Sequence, residues 1–404
     1  MPESIAQQFK SLLEENLSID LTRGKPSSSQ LDLSNELLSI PLQPLTEDGV
    51  DIRNYGEPLG IHQARELGAE LLDSPITHTI AAEQSSLLLS YQLLLASHLF
   101  GINGRPWKDI ENPKFICPTP GFDRHFNMLD ELGIEMLSVP LVGNGLDLDI
   151  LSATLAEHDD IVGLISVPRH SNPSGDIYSD KNILNIFELC SEYSEDLIFL
   201  FDHAYLIHDL TNAPSQTPIW ALAEKAGVLN QTAVLTSFSK VTFGGGSLAF
   251  FAGGDGTFSL LKKIRGSMII CPDKVNQLRH VAFFKNKENI ILHMQKHAAI
   301  IEPKFGLTSS ILRTIPEECG TFSNPTGGYF ITYKTTKPIA SKVIEICKRA
   351  GVLITPAGAT FPHGVDPQDS IIRLAPTFVE AIELQKAIEV FAAAVQIAHF
   401  NLET

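Results

Sequence analysis

Polar side chains with complementary chemistry follow three apolar segments that have the composition of buried strands. Asn172 comes after the segment 161–168, Asp202 ends the segment 197–202, and Lys240 follows the segment 232–237. Because the carboxyl ends of parallel strands meet at one edge of a sheet, we expect an amide, a carboxylate and an amine to share one pocket. An amine in such a pocket, if its pKa is lowered, is suited to forming a Schiff base with a carbonyl compound.

The carboxylate indicates which carbonyl compound this is. Asp202 suits a heterocyclic nitrogen that must stay protonated, and pyridoxal 5′-phosphate (PLP) is a strong electron sink when its pyridine nitrogen holds a proton. Its phosphate needs hydroxyls and backbone N–H groups at a helix N-terminus. Ser85 and Ser86 stand before a helical run, and Ser237 lies three residues before Lys240. These residues together predict PLP as the cofactor.

The elements that must position these residues alternate between two patterns. Continuous apolar runs predict buried strands, and the longer segments between them have helical periodicity. The runs lie at 114–118, 134–140, 161–168, 197–202, 232–237 and 247–253, with helical segments such as 147–158 and 180–194. This alternation predicts an α/β fold with a mostly parallel sheet flanked by helices.

The pattern changes after about residue 290 and predicts a smaller α+β domain. Helices are predicted at 286–314, 337–350 and 379–398, with an extended segment at 352–356. We expect a large domain over 46–290, and a small domain formed by 1–45 together with 291–404. The turn-rich segment 323–330 contains an Asn-Pro-Thr-Gly sequence (324–327) that resembles Asn172–Gly175, and we interpret it as a turn before a strand at Tyr329.

Composition excludes several classes of partner. The net charge of −17 over 404 residues argues against nucleic-acid and membrane-surface binding. No signal-peptide pattern precedes the first helix, and the apolar run from Leu87 to Phe100 is interrupted by polar residues, so we expect a buried helix there rather than a membrane span. The five cysteines are widely spaced, which indicates free thiols and a cytoplasmic location. His203, His208 and Asp209 look superficially like metal ligands, and His293 and His297 have i, i+4 spacing but lack the glutamate of an HExxH motif. For both sets we favour a structural role, so no metal is expected.

Ten short motifs, in order and spacing, resemble those of the class I aminotransferases of PLP fold type I, and more narrowly a bacterial aspartate aminotransferase-like subgroup. The resemblance covers nearly the whole chain. The motifs are DLTRGKP (20–26), RNYGEPLG (53–60), PGFDRH (120–125), SNPSG (171–175), FDHAY (201–205), SFSK (237–240), PDKVNQLRH (272–280), GGYF (327–330), TPAGATFP (355–362) and IRLAPTF (372–378). The family fold is a seven-stranded-type, mostly parallel sheet with a smaller α+β domain.

The resemblance implies a role for each residue that matches a family motif. Lys240 matches the Schiff-base lysine, which is also the general base for proton transfer. Asp202 matches the partner of the pyridine nitrogen, while Tyr205 and Asn172 match the two donors to the cofactor 3′-oxygen. Arg373 matches the arginine that clamps the substrate α-carboxylate, because a guanidinium binds a carboxylate through two parallel hydrogen bonds.

Further matches complete the implied site. Phe122 matches the aromatic residue that stacks on the cofactor ring, and His125 matches the histidine that orients the aspartate. Ser85, Ser86 and Ser237 match the hydroxyls that bind the phosphate. Tyr55 matches a tyrosine that contacts the phosphate from a neighbouring subunit, and Gly24 matches the glycine whose backbone contacts the substrate carboxylate. The match of Tyr55 implies a homodimer.

Two departures concern the phosphate end of the cofactor. Many class I enzymes have an arginine eight residues after the Schiff-base lysine, where this chain has Leu248. In the subgroup a glycine-rich turn usually precedes the two serines, whereas here Glu83 and Gln84 do. Glu83 near a phosphate would be unfavourable unless its side chain points away, and backbone N–H groups of the segment 241–247 are candidates to replace the arginine.

The predicted reaction is transamination between an L-amino acid and a 2-oxo acid, and the resemblance implies L-aspartate and 2-oxoglutarate. A dicarboxylate substrate needs a second cation, for which Arg23, Lys25, Arg265 and Lys274 are candidates that the sequence does not separate. If none of them reaches the site, alanine or an aromatic amino acid becomes the favoured substrate. A PLP β-lyase remains an alternative, because PLP stabilises the same carbanion in both reactions. The effector half of a transcription regulator is disfavoured by the acidic charge and the short N-terminal segment.

Overall fold

The computed structural model describes residues 2–210 and 212–402. In this part of the chain the α-helices are α1 (Pro2–Glu14), α2 (Ser28–Asp32), α3 (His62–Leu72), α4 (Ser86–Phe100), α5 (Asp123–Glu131), α6 (Leu148–Glu157), α7 (Asp180–Tyr193), α8 (Ile219–Ala226), α9 (Asp255–Met268), α10 (Lys274–Phe284), α11 (Lys287–Leu312), α12 (Ala340–Arg349) and α13 (Ala381–Phe400). Short 3₁₀ helices lie at Asn35–Leu38, Ile76–His78, Ile102–Gly104, Trp107–Asp109, Leu229–Gln231, Glu317–Cys319 and Pro362–Gly364.

The strands form one large sheet and two small ones. They are β1 (Ile19–Asp20), β2 (Thr79–Ala82), β3 (Lys114–Thr119), β4 (Glu135–Pro140), β5 (Ile161–Ser166), β6 (Ile198–Asp202), β7 (Thr232–Ser237), β8 (Ala249–Gly253), β9 (Gly320–Phe322), β10 (Ile331–Thr335), β11 (Val352–Leu353) and β12 (Ile371–Leu374). The large sheet has seven strands in the order β2-β8-β7-β6-β5-β3-β4. Only β8 runs antiparallel to its neighbours, β2 and β7.

The predicted mostly parallel sheet with flanking helices is confirmed. All six apolar runs form strands of this sheet, and helices cover both of its faces. Only the edge strand β4 among these six has exposed polar residues, Glu135 and Ser138. One apolar cluster on the sheet includes residues of α3, α6, α7 and α8, and a second includes residues of α4, α5 and α9. Strand β2, whose four residues are all buried at the sheet edge, was not predicted from the sequence.

A separate apolar cluster joins the two ends of the chain. It includes Phe9 and Leu12 of α1 with residues of α11, α12 and α13. Strand β1 pairs in parallel with β11, and the three-stranded antiparallel sheet β12-β10-β9 completes this part of the molecule. Helix α11 contributes to two clusters, with Ile290 in a large-sheet cluster and Ile301 in this one. The predicted division at residues 45 and 290 stays a prediction.

Helix α4 is the apolar segment noted in the sequence. Within the described residues, Ser86–Gly104 is the segment long and apolar enough to cross a membrane by length and composition, and 50% of it is buried inside the protein. The helix packs against α9 and against the strands β6, β7 and β8. Its apolar surface is therefore used in the core of the large sheet, and its N-terminus is directed to the strand ends where the predicted site lies.

Candidate active site

Lys240 lies in the turn that follows β7, at the carboxyl edge of the large sheet. Its Nζ is 4.9 Å from the centre of the Tyr205 ring and makes no hydrogen bond with any residue that the structure describes. Burial lowers the pKa of the Lys240 amine, while the charge of Asp202 acts in the opposite direction. An amine held partly dehydrated beside a carboxylate is more readily deprotonated than a surface lysine, as a nucleophile requires.

Asp202 ends β6 and is 2% exposed. Its Oδ2 is 3.1 Å from Nε2 of His125, which α5 presents from its first turn. Burial works to raise the pKa of Asp202, but His125, Lys240 and the Ser86 hydroxyl together hold that pKa below its ordinary value. The second oxygen, Oδ1, is buried and has no partner among the described residues. A buried, ionised carboxylate with one unused oxygen is fitted to accept a hydrogen bond from a ligand cation.

Tyr205 and Phe122 flank this carboxylate region. Tyr205 is 2% exposed, and burial raises the pKa of its phenol well above the ordinary value, so the hydroxyl stays protonated and can donate. The ring of Phe122, at the N-cap of α5, stands edge-on to that of His125 with 5.0 Å between the ring centres. The predicted ring-stacking residue and the predicted aspartate-orienting histidine are therefore in contact.

Arg373 lies on β12 with its guanidinium 4.9 Å from the centre of the Phe330 ring. Its Nη1 donates to Asn172 Oδ1 at 3.3 Å, its Nη2 donates to the Thr22 carbonyl at 3.1 Å, and Thr355 Oγ1 accepts from Nε and Nη2. All these acceptors are neutral, and no ion pair within the described residues involves this arginine, which is 8% exposed. Burial lowers the pKa of Arg373 and the charge of Asp123 acts in the opposite direction, but Asp123 forms no ion pair with this arginine in the described part of the chain. A buried guanidinium with no ion-pair partner is fitted to bind a carboxylate ligand.

Gly24 lies against the same aromatic ring. A Cβ at this position would come 2.4 Å from Cζ of Phe330, so no side chain fits without displacing the ring. The close approach of backbone and ring keeps the segment 22–25 next to Arg373. The predicted contact between the Gly24 backbone and a substrate carboxylate stays a prediction.

Hydroxyl groups collect at the N-terminus of α4. Ser85 caps the helix and its Oγ accepts from the Leu88 N–H at 3.3 Å, while Ser86 is the first helical residue. Ser237, at the end of β7, donates to Ser239 Oγ at 3.1 Å. Ser239 in turn donates to the carbonyl of Gln84, and this bond links the serine hydroxyls after β7 to the start of α4. The arrangement supplies hydroxyls and a helix N-terminus to an anion.

Both departures at this end of the site have a structural explanation. Glu83 has a left-handed backbone, with φ of 61°, and its carboxylate pairs with Arg265, turning away from the serines toward α9. Gln92 of α4 donates to the same carboxylate at 3.3 Å. Leu248 is 2% exposed within the apolar core below the sheet edge, so an arginine at this position would have to be accommodated in that core.

Tyr55 is separate from the other predicted site residues. It is 73% exposed, and its carbonyl accepts a hydrogen bond from Lys274. Within one chain, the ring of Tyr55 is therefore not part of the pocket. The predicted contact with a neighbouring subunit stays a prediction.

Comparisons with known proteins assign the chain to a family. The family model described as aspartate amino-transferase matches residues 2–403. An aspartate aminotransferase of Corynebacterium glutamicum is 37% identical over 403 residues, covering 98% of this chain and 93% of that protein. The chain belongs to the aspartate aminotransferase family. It is an aminotransferase, and it catalyses transamination.

Solved structures agree with this assignment. A protein of Corynebacterium diphtheriae, provisionally described as an aminotransferase, superposes on this aminotransferase with a TM-score of 0.95 at 38% identity, covering 99% of this chain and 100% of that one. The kynurenine aminotransferase of Pyrococcus horikoshii, solved with PMP, is 19% identical with a TM-score of 0.80 over 99% and 95% of the two chains. At that identity the likeness shows the fold alone, which is PLP fold type I, and PLP is the cofactor that this fold implies.

Several residues of the aminotransferase site were not predicted from the sequence. Ser239 and Ser247 add two hydroxyls to the serines near the N-terminus of α4, with 3.3 Å between their oxygens. His208 and Tyr329 both contact the carbonyl of Lys240. The position of Ser239 beside the predicted lysine was an available signal. The other contacts depend on how distant segments pack, and the sequence contains no short-range pattern for them.

Proposed function

We propose that this aminotransferase holds PLP at Lys240 and uses it to transfer the amino group of aspartate to a 2-oxo acid. The observation that carries the proposal is the buried carboxylate of Asp202, whose unpaired Oδ1 lies in the same pocket as the unbonded Nζ of Lys240. A pyridinium nitrogen satisfies the carboxylate, and a carbonyl carbon suits the amine. The residues present therefore fit PLP.

The remaining residues are assigned to different parts of the cofactor. We assign the phosphate to the hydroxyls of Ser85, Ser86 and Ser237 and to the N-terminus of α4, with Ser239 and Ser247 in place of the arginine found in many class I enzymes. Phe122 is assigned to the face of the ring, and the phenol of Tyr205 with the amide of Asn172 to its 3′-oxygen.

The chain's own residues account for proton transfer. Bound PLP supplies an electron sink for the charge that remains when the α-proton of an amino acid is removed. Asp202, oriented by His125, keeps the proton on the ring nitrogen. With PLP held in the pocket, Lys240 Nζ would be the group that takes the α-proton and gives it back at the cofactor C4′, because burial lowers its pKa and so leaves a larger fraction of the amine unprotonated at neutral pH.

Arg373 is assigned to the substrate α-carboxylate. Its guanidinium donates to Thr22, Thr355 and Asn172, which are all neutral acceptors, so none of these contacts is an ion pair that a substrate carboxylate would have to replace. The backbone of Gly24 lies beside it. This clamp sets the orientation of the α-carbon relative to Lys240.

Arg23 is the candidate that we assign to the distal carboxylate of aspartate. Arg265 is 2% exposed and paired with Glu83, while Lys274 is 2% exposed and donates to two backbone carbonyls. Lys25 stands over the Phe378 ring at 3.8 Å. Arg23 is exposed, and the carbonyl of Thr22, the residue before it, accepts a hydrogen bond from Arg373, so the main chain of Arg23 lies next to the Arg373 guanidinium.

The aspartate assignment also draws on the relative from Corynebacterium glutamicum, which is named an aspartate aminotransferase. For Arg23→Gln we expect kcat/KM for aspartate to fall by about 10-fold or more, the effect of one charge-assisted hydrogen bond, while kcat/KM for alanine stays unchanged. An equal change for both donors would remove Arg23 from this role. Alanine or phenylalanine as the best donor in the unmodified enzyme would contradict the aspartate assignment itself.

We also propose a cytoplasmic homodimer in which Tyr55 serves the neighbouring site. Four large apolar side chains are exposed on segments near Tyr55 in sequence or at the end of α9 and just after it, namely Leu38, Leu45, Met268 and Ile270. Such a surface suits a subunit interface. Light scattering that gives the mass of a single chain would contradict the dimer.

The catalytic assignment is tested with Lys240→Ala, with the exposed Lys225→Ala on α8 as a control. We expect the loss of oxo-acid-dependent amino transfer in the first variant and full activity in the second. Most of the activity surviving in Lys240→Ala would refute the mechanism. Pyruvate and ammonia release without an oxo acid would instead indicate the β-lyase alternative.

A further inference from the structure

Two side chains from distant parts of the sequence contact the backbone carbonyl of Lys240. Tyr329 Oη lies 3.3 Å from this oxygen, and Nε2 of His208 lies 3.4 Å from it. A carbonyl oxygen only accepts, so both side chains must donate. The two donors contact the main chain of Lys240, whereas its Nζ, at the other end of the residue, faces Asp202 and Tyr205.

Gln30 determines the direction in which the Tyr329 hydroxyl points. The N–H of Ser27 donates to Gln30 Oε1 at 3.0 Å, which identifies the other end of the amide as Nε2. Nε2 then donates to Tyr329 Oη at 2.9 Å and to Nδ1 of His297 at 3.1 Å. Because Tyr329 Oη accepts from Gln30, its own proton is directed to the carbonyl of Lys240.

Both donors to the carbonyl are neutral. Burial raises the pKa of Tyr329 and lowers the pKa of His208 well below its ordinary value. His208 therefore carries its single proton on Nε2, and its Nδ1 is buried without a partner among the described residues. Neither contact changes over the pH range in which an enzyme works, so the support of Lys240 is constant while Nζ titrates.

The segment that carries Tyr329 is fixed to the segment that carries His208. The N–H of Gly328 donates to the His208 carbonyl at 2.9 Å, and the N–H of Leu210 donates to the Thr326 carbonyl at 2.9 Å. A Cβ on Gly327 would come 2.4 Å from the same His208 carbonyl. The parts of the chain around residues 208 and 329 thus meet at one carbonyl oxygen, and Gln30 is connected to it through the Tyr329 hydroxyl.

We infer that Tyr329, oriented by Gln30, is a positioning residue for Lys240, and that the contact sets how deeply Nζ is held in its dehydrated pocket. This inference rests on the proposed role of Lys240. Titratable groups that face Lys240 from the elements packed against it are Asp202, Tyr205, His208 and Tyr329. If the main chain of Lys240 becomes looser, Nζ samples more hydrated positions, in which its protonated form is favoured.

The test is a pH titration of the absorbance of the PLP-loaded enzyme, together with kcat and KM. Tyr329→Phe removes the hydroxyl and keeps the ring against Tyr205. Gln30→Glu keeps the shape of the side chain but turns an amide donor into an acceptor, so the Tyr329 proton is drawn away from Lys240. For both variants we expect the absorbance midpoint to move upward by about half a pH unit and kcat to fall about three- to tenfold, the scale of one neutral hydrogen bond, with a smaller change in KM.

The matched control is Tyr333→Phe. Tyr333 is also a buried tyrosine, 1% exposed, but its hydroxyl has no partner in the described part of the chain and its ring packs on Phe391 of α13. An unchanged midpoint and kcat in both Tyr329→Phe and Gln30→Glu would overturn the inference. So would the same shift in Tyr333→Phe, because the effect would then be general loosening. A wild-type enzyme without a pH-dependent cofactor absorbance would overturn the role of Lys240 as well.

Discussion

Arg373→Lys keeps a positive charge but removes the planar fork on which the clamp depends. In the wild type, three neutral acceptors hold Nε, Nη1 and Nη2, namely the Thr355 hydroxyl, the Asn172 amide and the Thr22 carbonyl. A lysine ammonium presents its donors from one point, so it cannot satisfy these acceptors and also donate two parallel bonds to a carboxylate. We expect the substrate to lose one charge-assisted hydrogen bond.

The size of the effect follows from that loss. A hydrogen bond to a charged group contributes about 1.5–3 kcal/mol, which corresponds to a decrease of about 10- to 150-fold in kcat/KM for aspartate. The assay is steady-state transamination over a range of aspartate concentrations, with the melting temperature measured alongside it. Most of the change is expected in KM, because the clamp binds the α-carboxylate before and during proton transfer.

The control is Arg313→Lys, at an exposed arginine that follows α11. This variant is expected to behave as the wild type. The clamp would be refuted if folded Arg373→Lys had a kcat/KM within about twofold of the wild type. The loss of even one charged hydrogen bond should lower kcat/KM by about 10-fold. A fall in kcat alone would assign Arg373 to the transition state rather than to binding.

Two further predictions concern stability. Glu83→Gln leaves the 2%-exposed guanidinium of Arg265 without its counter-charge, and urea unfolding should show a loss of roughly 2–4 kcal/mol; an unchanged midpoint would contradict this. Burial lowers the pKa of His280 to about 4, below the ordinary value of 6.5, so the unfolded chain binds more protons between these values and stability falls as the pH drops through that window. His280→Gln should remove up to about 1.4 kcal/mol per pH unit of that dependence, measured by unfolding at several pH values, whereas an identical slope in both proteins would show that His280 is not held neutral.

The large sheet was predictable because its strands are covered on both faces. Such strands leave continuous apolar runs, and all six runs that were identified form strands. The edge strand β2 was missed because it is only four residues long, Thr79–Ala82, and half of it is alanine. Its antiparallel pairing with β8 has no local signature in the sequence. The strand expected at Tyr329 begins two residues later, at Ile331, because the preceding residues make contacts at Lys240 instead.

The site was predictable where residues follow strands directly. Asp202 and Ser237 end β6 and β7, and Lys240 lies in the next turn, so topology alone brings them together. Contacts between segments far apart in sequence were not predictable. The hydrogen bond from Gln30 to Tyr329 joins residues 299 positions apart, and the pair of Glu83 and Arg265 spans 182 positions. Such contacts depend on the packing of whole elements, which periodicity does not encode.

The central claim is that the amine of Lys240 bonds the cofactor. The most direct test is to reduce the PLP-loaded protein with borohydride, digest it, and locate the modified lysine by mass spectrometry. We expect a pyridoxyl group on the peptide that contains Lys240, and no such modification in Lys240→Ala. A pyridoxyl group on another lysine of the wild type, or a protein that retains PLP without any reducible bond to a lysine, would contradict it.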